Sequence, residues 1–107
     1  MGGPRQSLRG RGEFERLRRS GLRRREGGLT VVMGPGQDGR IRVGLVAGRG
    51  VGGAVERNRA KRRLRQALGQ VWLKEGNDYI VIATAAVNRV PFADLVGWLQ
   101  AALGSRE

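Results

Sequence analysis

The spacing of apolar side chains predicts three strands in this chain of 107 residues. Residues 29–33 are rich in β-branched side chains, and residues 40–47 place every second side chain on one apolar face. Residues 78–84 form a third apolar run. Glycine, proline and aspartate in residues 34–39 predict a turn. We therefore expect the first two strands to pair as a hairpin with one face on a core.

Helical spacing predicts three helices. Residues 12–20 carry Phe14 and Leu17 on one face, and residues 54–72 carry one apolar stripe bordered by cations. Pro91 opens the last helix, because proline is favoured at the first helical position. With a further short strand near the glycines at 48–53, these elements predict an α+β fold, an α/β sandwich around one small sheet.

The charge of the chain points to a polyanionic partner. The chain has 21 Lys and Arg against nine Asp and Glu, a net charge of +12, and 18 of these basic residues lie in residues 1–65. Nearly all are arginine, which forms planar, bidentate contacts with phosphate. Nucleic acid is the leading candidate, and an anionic membrane comes second.

Length and composition exclude several classes of protein. The chain is too short for a two-domain enzyme or a large α/β barrel, and its apolar runs are too short to span a membrane. The absence of Cys and His excludes disulfides, zinc-finger spacings and the usual imidazole base. We predict no catalytic side chain and no bound metal ion on this chain.

The N-terminal segment is basic and poor in apolar residues. We expect residues 1–11 to form a flexible arm and residues 12–107 to form a single RNA-binding domain. The start lacks the apolar region of a secretory signal, so a cytoplasmic location is expected.

A glycine cluster at 48–53 satisfies the pattern G-x-G-x-x-G between a strand and a helix. A dinucleotide-dependent enzyme is therefore one hypothesis. The short chain and the missing acidic residue after the next strand favour a tight connection instead, whose helix N-terminus attracts phosphate.

The predicted long helix carries six cations in the nine residues 57–65. A solvated face is the simpler interpretation of such a run. It is disfavoured because only Glu56 is near enough to pair with these cations along the helix. The charge density predicts a polyanion-binding face, in which Asn58 can hydrogen-bond an RNA base edge or a sugar hydroxyl.

Residues 52–65, GGAVERNRAKRRLR, resemble the signature of the bacterial ribonuclease P protein subunit, in which Arg-Asn-Arg is followed by Lys-Arg and a further Arg. The resemblance extends through residues 12–15, 42–46 and 78–83 and covers about residues 8–103. It implies a two-layer α/β sandwich with a small mixed sheet and a left-handed βαβ crossover through the Arg-Asn-Arg helix, as in a domain of a small-subunit ribosomal protein.

The resemblance also implies a function. The chain would be the non-catalytic subunit of an endoribonuclease that removes the 5′ leader from precursor tRNA. Its partners would be the catalytic RNA subunit and precursor tRNA, with no membrane and no required protein partner. Mg²⁺ would be held by the RNA subunit and not by this chain. A ribosomal or other structural RNA-binding protein of the same fold is the alternative.

Two sets of site residues follow from the resemblance. The residues implied to bind the RNA subunit are Arg57, Asn58, Arg59, Lys61, Arg62 and Arg65. Those implied to bind the leader, in a cleft between the first helix and the sheet, are Phe14, Arg18, Val32, Arg42 and Arg49. Arg18 and Val32 stand where the family often has aromatic residues, so this cleft would depend more on arginine than on stacking. Phe14 could stack on a base or simply pack beside Leu17.

Overall fold

Five strands and three helices follow one another in residues 5–104, the part of the chain that the computed structural model describes. They are β1 (Arg5–Ser7), α1 (Arg11–Ser20), β2 (Leu22–Glu26), β3 (Leu29–Pro35), β4 (Ile41–Ala47), α2 (Ala54–Leu68), β5 (Asn77–Ala83) and α3 (Phe92–Leu103). Short 3₁₀ turns occupy Arg49–Val51 and Ala85–Asn88. Within these residues no helix is long and apolar enough to cross a membrane.

The strands form one mixed sheet in the order β1-β4-β5-β3-β2. Strand β5 lies at the centre, parallel to β4 and antiparallel to β3. Its residues Tyr79, Ile80 and Val81 are buried on both faces, which is typical of a central strand. The hairpin predicted for residues 29–33 and 40–47 is therefore wrong, because β5 inserts between β3 and β4.

The sheet has two covered faces with separate cores. Alternate residues of β3, β4 and β5 face α2 and α3 and form the larger core around Leu64, Val81 and Leu99. The other residues of these strands face α1 and form a small core that includes Leu17 and Ile80. The α+β sandwich is confirmed, and α1 adds a partial third layer on the face opposite α2 and α3.

The predicted crossover through the Arg-Asn-Arg helix is present. Strands β4 and β5 are neighbouring and parallel, and α2 connects them. The left hand of this crossover stays a prediction. The helix ends at Leu68, four residues before the predicted end, and Gly69 follows it.

The N-terminal segment differs from the predicted flexible arm. Residues Arg5–Ser7 add a parallel strand beside β4. Arg5 donates hydrogen bonds to the carbonyl oxygens of Leu68, the last residue of α2, and of Val71, which follows the helix. The free carbonyls of a helix end need such donors. The pKa of Arg5 is lowered because burial disfavours its charge. Of the rest of the predicted arm, residues 8–10 connect β1 to α1, which begins at Arg11, and residues 1–4 lie outside the described residues.

Two further elements differ from the sequence prediction. Strand β2 was not predicted, because Leu22–Glu26 contains three consecutive arginines and no alternation of apolar side chains. The segment near the glycine cluster forms the 3₁₀ turn Arg49–Val51 and not a strand.

Candidate nucleic-acid interface

Helix α2 divides its polar side chains between an outer face and its flanks. The polar side chains on the outer face are exposed, and they are Asn58, Arg59, Arg62, Arg65 and Gln66. Arg57, Lys61 and Arg63 are half-buried at the flanks of the helix. The opposite side is anchored in the larger core by the buried residues Ala60 and Leu64. The helix therefore presents three arginines, one asparagine and one glutamine to solvent from a fixed position.

The cations of α2 have no acidic partner within residues 5–104. The four ion pairs in this part of the chain all join Arg16 or Arg42 to Glu13 or Asp78. The single acidic side chain of α2, Glu56, instead accepts a hydrogen bond from the backbone N–H of Gly53 at 2.9 Å. Uncompensated like charges on one helix repel one another, so the outer face of α2 is suited to an external polyanion.

Arg63 has a different role from the neighbouring arginines of α2. Its guanidinium donates to the carbonyl oxygens of Val87 (2.5 Å) and Val90 (2.8 Å). Asn88 donates from its side-chain amide to the carbonyl oxygen of Glu56 at 2.8 Å, so the same loop also holds the first turn of α2. Arg63 and Asn88 therefore orient the helix, and sequence spacing alone does not distinguish Arg63 from its neighbours.

Arg42, which the resemblance implied to bind the leader, is engaged within the protein. Its Nε donates to Oδ1 of Asp78 at 2.9 Å and its Nη2 to Oδ2 at 2.6 Å. Nη2 also donates to Glu13 at 3.0 Å, and Arg16 donates to Oδ2 of Asp78 at 2.6 Å. The hydrogen bond with Asp78 raises the pKa of Arg42. Arg42 and Arg16 therefore compensate the fully buried Asp78 and fasten α1 to the sheet, and the assignment of Arg42 to the leader stays a prediction.

Val32 has no accessible surface, whereas Phe14 keeps one. Val32 is fully buried in the small core with Leu17, so it has no surface to offer to a leader. Phe14 is half-buried, and its ring lies over Gly44, where an added Cβ would overlap with the ring. Phe14 therefore packs in the small core, as one of the two hypotheses for this residue expected, while part of its ring stays exposed to solvent.

Part of the sheet next to α1 is open. Val46, Ile82 and Thr30 are register partners in one row across β4, β5 and β3, and all three are half-buried. This open row (Val46, Ile82 and Thr30) is two residues away, on each strand, from the row of Gly44, on which Phe14 rests. It forms an apolar floor beside the helix.

The two flanks of α1 differ in their chemistry. At 100° per residue, Glu13 and Arg16 project from one side of the Phe14–Leu17 stripe, where they reach Asp78. Arg11 and Arg18 project from the other side, about 40–60° from Phe14, and both are exposed. Arg18 therefore lies on the flank that faces the open row, where it was expected. Arg49 is exposed in the 3₁₀ turn just after β4.

A cavity of about 380 Å³ links the two predicted surfaces. It lies where β1 ends beside β4, and it is lined by Phe14 and Gly44 from the side of α1 and by Lys61 and Arg65 from α2. Sequence reasoning did not predict that Phe14 and the cations of α2 share a cavity, because β1 was not recognised as a strand.

The glycine turn does not have the geometry of a dinucleotide site. The N–H of Gly53, at the start of α2, donates a hydrogen bond to the Glu56 carboxylate. A phosphate bound there would therefore meet a negative charge. Gly52 has a φ of 143°, a conformation that L side chains rarely adopt, so it supports the tight connection. Residues 5–104 contain no group of three or more His, Cys, Asp or Glu that could hold a metal ion.

Comparisons with known proteins agree with this geometry. The family model described as Ribonuclease P matches residues 3–106. The ribonuclease P protein component of Chloroflexus aggregans is 36% identical over 91 residues, which are 82% of this chain and 67% of that protein. The component from Dehalococcoides mccartyi is 44% identical over 66 residues, 62% of this chain and 55% of that protein.

A solved structure has the same fold. The RNase P protein from Thermotoga maritima has a TM-score of 0.79 with 27% sequence identity, and the match covers 92% of this chain and 94% of that one. The RNase P protein of Staphylococcus aureus matches with a TM-score of 0.76, at 22% identity, over 92% of this chain and 91% of that one.

Proposed function

The chain belongs to the ribonuclease P protein family, and on this premise we propose that it is the protein subunit of a tRNA-processing ribonucleoprotein. It binds the catalytic RNA through α2 and the 5′ leader of precursor tRNA through the cleft between α1 and the sheet. The aligned relatives are longer than this chain, which spans about half to two thirds of their length, so its activity and partners are put forward here as proposals.

The outer face of α2 carries this proposal. Arg59, Arg62 and Arg65 are exposed and have no carboxylate partner within residues 5–104, while Arg63 holds the helix in place. Arginine in a rigid array matches the phosphates of a folded RNA, and each contact releases counterions. Asn58 adds a hydrogen-bonding amide between these cations, suited to a base edge or a 2′-hydroxyl.

The leader-binding cleft combines an apolar floor with cations. The open row and the exposed part of Phe14 provide surfaces on which unpaired bases can lie. Arg18 and Arg49 border this floor and can contact the leader phosphates. The cavity at the end of β1 brings the edge of this cleft next to Lys61 and Arg65, so the RNA subunit and the leader would meet at one side of the protein.

The residues that the structure describes, 5–104, do not fit a magnesium site. Asp78 is the buried carboxylate of the sheet, and two guanidinium groups already occupy its oxygens. We therefore assign the magnesium ions and the hydrolysis to the RNA subunit, and electrostatics and positioning to this chain. We further propose that the particle acts in the cytoplasm.

Reconstitution with the cognate RNA tests the proposal. We expect the chain alone to leave precursor tRNA uncut, and the chain with the RNA subunit to lower the magnesium concentration needed for cleavage. R59A/R62A should require more protein for the same effect, whereas the Arg89→Ala variant, which removes an exposed arginine outside α2, should behave as the natural chain. Failure to bind or activate that RNA, together with cosedimentation with ribosomes, would instead support a structural ribosomal protein.

A further inference from the structure

Strand β2 is a free edge of the sheet with an unusual charge. It is the last strand in the order and pairs only with β3 within residues 5–104. Arg23, Arg24 and Arg25 follow one another in it, all are exposed, and none has an ion-pair partner in the described part of the chain. Neither the Arg-Asn-Arg signature nor the predicted leader-binding residues include these arginines.

The register of the sheet determines to which face each of the three arginines projects. Arg25 pairs with Thr30, and Thr30 pairs with Ile82. Register partners project to the same face, so Arg25 continues the open row at its outer end. Arg23 pairs with Val32, whose side chain lies in the small core under α1, and it projects to the same face.

Arg24 projects to the opposite face. It pairs with Val31, a residue of the larger core on the side of α2 and α3. Three arginines of one strand, all exposed, therefore divide into two on the face of the cleft and one on the face of α3.

We propose that Arg23 and Arg25, here called the arginine edge, bind phosphates of the single-stranded leader where it leaves the open row. This inference rests on the proposed function, since it extends the same cleft to the edge of the sheet. Residues two apart on one strand lie about 6.7 Å apart, close to the spacing of successive phosphates along an extended single strand. The chain thus has cations on both sides of the apolar floor, with Arg49 beyond β4 and the arginine edge on β2.

A simpler role for charges on an edge strand is to prevent pairing with another sheet. That role does not depend on the face to which a side chain points, because a charge on either face of the strand hinders edge-to-edge contact. Phosphate binding in the cleft does depend on the face. Arg24→Ala is therefore a matched control for Arg25→Ala, since both variants lose one exposed arginine from the same strand.

The first measurement is the affinity of the full chain for a short unstructured RNA as salt is varied. We expect R25A to reduce the slope of log K against log salt by about 0.7 and R23A/R25A by about 1.4, the values for one and two single-strand phosphates. For the double variant, the gain in affinity between about 200 and 50 mM salt would be about sevenfold smaller. R24A should change the slope by less than half of the R25A effect. Equal effects of R24A and R25A would overturn the proposal, as would self-association of R23A/R25A with unchanged RNA binding.

The second measurement uses the particle reconstituted with its RNA subunit. R25A should weaken binding of precursor tRNA with a long leader and leave binding unchanged when the leader is trimmed to one nucleotide. A loss that is independent of leader length would overturn the arginine edge as a leader contact while the proposed function stands. If the natural chain itself neither binds nor activates the RNA, the proposed function fails, and the salt slopes with the short RNA decide separately whether the arginine edge binds single strands.

Discussion

Arg42 and Asp78 form a bidentate ion pair between neighbouring strands, with Nε to Oδ1 at 2.9 Å and Nη2 to Oδ2 at 2.6 Å. The two residues are register partners of β4 and β5. Arg16 of α1 reaches the same carboxylate, which is fully buried. One carboxylate therefore joins the two central strands to the helix that borders the proposed leader cleft.

Replacing Asp78 by Asn should destabilise the fold strongly. The variant leaves two guanidinium groups beside a neutral amide, and removing one partner of a buried pair costs about 3–5 kcal/mol. Urea denaturation gives the free energy of unfolding. The control is Asp38→Asn, because Asp38 is exposed in a loop and takes part in none of the ion pairs of the described residues. It should change stability by less than about 0.5 kcal/mol. Equal stability of both variants would show that the Asp78 cluster contributes nothing to the fold.

Replacing Arg62 by Ala should weaken binding of the RNA subunit without affecting the fold. Arg62 projects from the outer face of α2 and is exposed, so each lost phosphate contact should lower the slope of log K against log salt by somewhat less than one unit. Filter binding at several salt concentrations measures this slope. An R62A slope identical to that of the natural chain would identify the outer face as an ordinary solvated surface.

Replacing Arg63 by Ala should destabilise the fold and leave RNA binding almost unchanged, the reverse of what we expect for Arg62→Ala. The change leaves the carbonyl oxygens of Val87 and Val90 without their donor, at a cost of about 1–3 kcal/mol. We expect a lower melting temperature, and a salt slope for RNA binding that stays within a few tenths of the natural value. A stable R63A variant with a reduced salt slope would mean that Arg63 contacts RNA directly.

Gly44 and Phe14 should be energetically coupled. A Cβ at Gly44 would overlap with the Phe14 ring, so Gly44→Ala should cost about 1–3 kcal/mol through overpacking. In the Phe14→Ala background, the same change should cost less than about 0.5 kcal/mol, because the obstacle is gone. A double-mutant cycle from denaturation curves measures the coupling, and additive effects of the two changes would contradict the contact.

Phe14→Leu separates packing of Phe14 from stacking on a base. The leucine retains apolar contact with Leu17 but offers no aromatic face, so the fold should persist. Loss of a base–aromatic stack is worth about 1–3 kcal/mol, which should appear as weaker binding of precursor tRNA with a leader and not of mature tRNA. If F14L binds both tRNAs as the natural chain does, Phe14 has only a packing role.

The helices and the central strands could be predicted from the sequence because their signals are local. The period of the apolar residues predicted α1, α2 and α3 and the faces by which they pack. The excess of cations over acids in residues 57–65 predicted an unpaired basic face, because the helix itself contains only Glu56 as an acidic neighbour. The alternation in residues 40–47 likewise assigned each side chain of β4 to a face of the sheet.

The order of the strands could not be predicted in this way. Strand β5 lies between β3 and β4 although it begins 30 residues after the end of β4, and β2 has no apolar pattern of its own. Such pairings depend on the combined burial of several distant segments, whereas a turn signal such as residues 34–39 describes only the local path of the chain.

The sequence by itself determined the charge, the Arg-Asn-Arg helix and the class of partner. The tertiary structure decided which arginines are free to act on that partner. Arg42 and Arg62 are alike as residues, yet Arg42 meets the buried Asp78 across a strand pair and Arg62 meets only solvent. The reason is that the availability of a charge depends on which acceptors lie within about 3 Å of it, and the partners of Arg42 and Arg63 are brought there only when distant segments fold together.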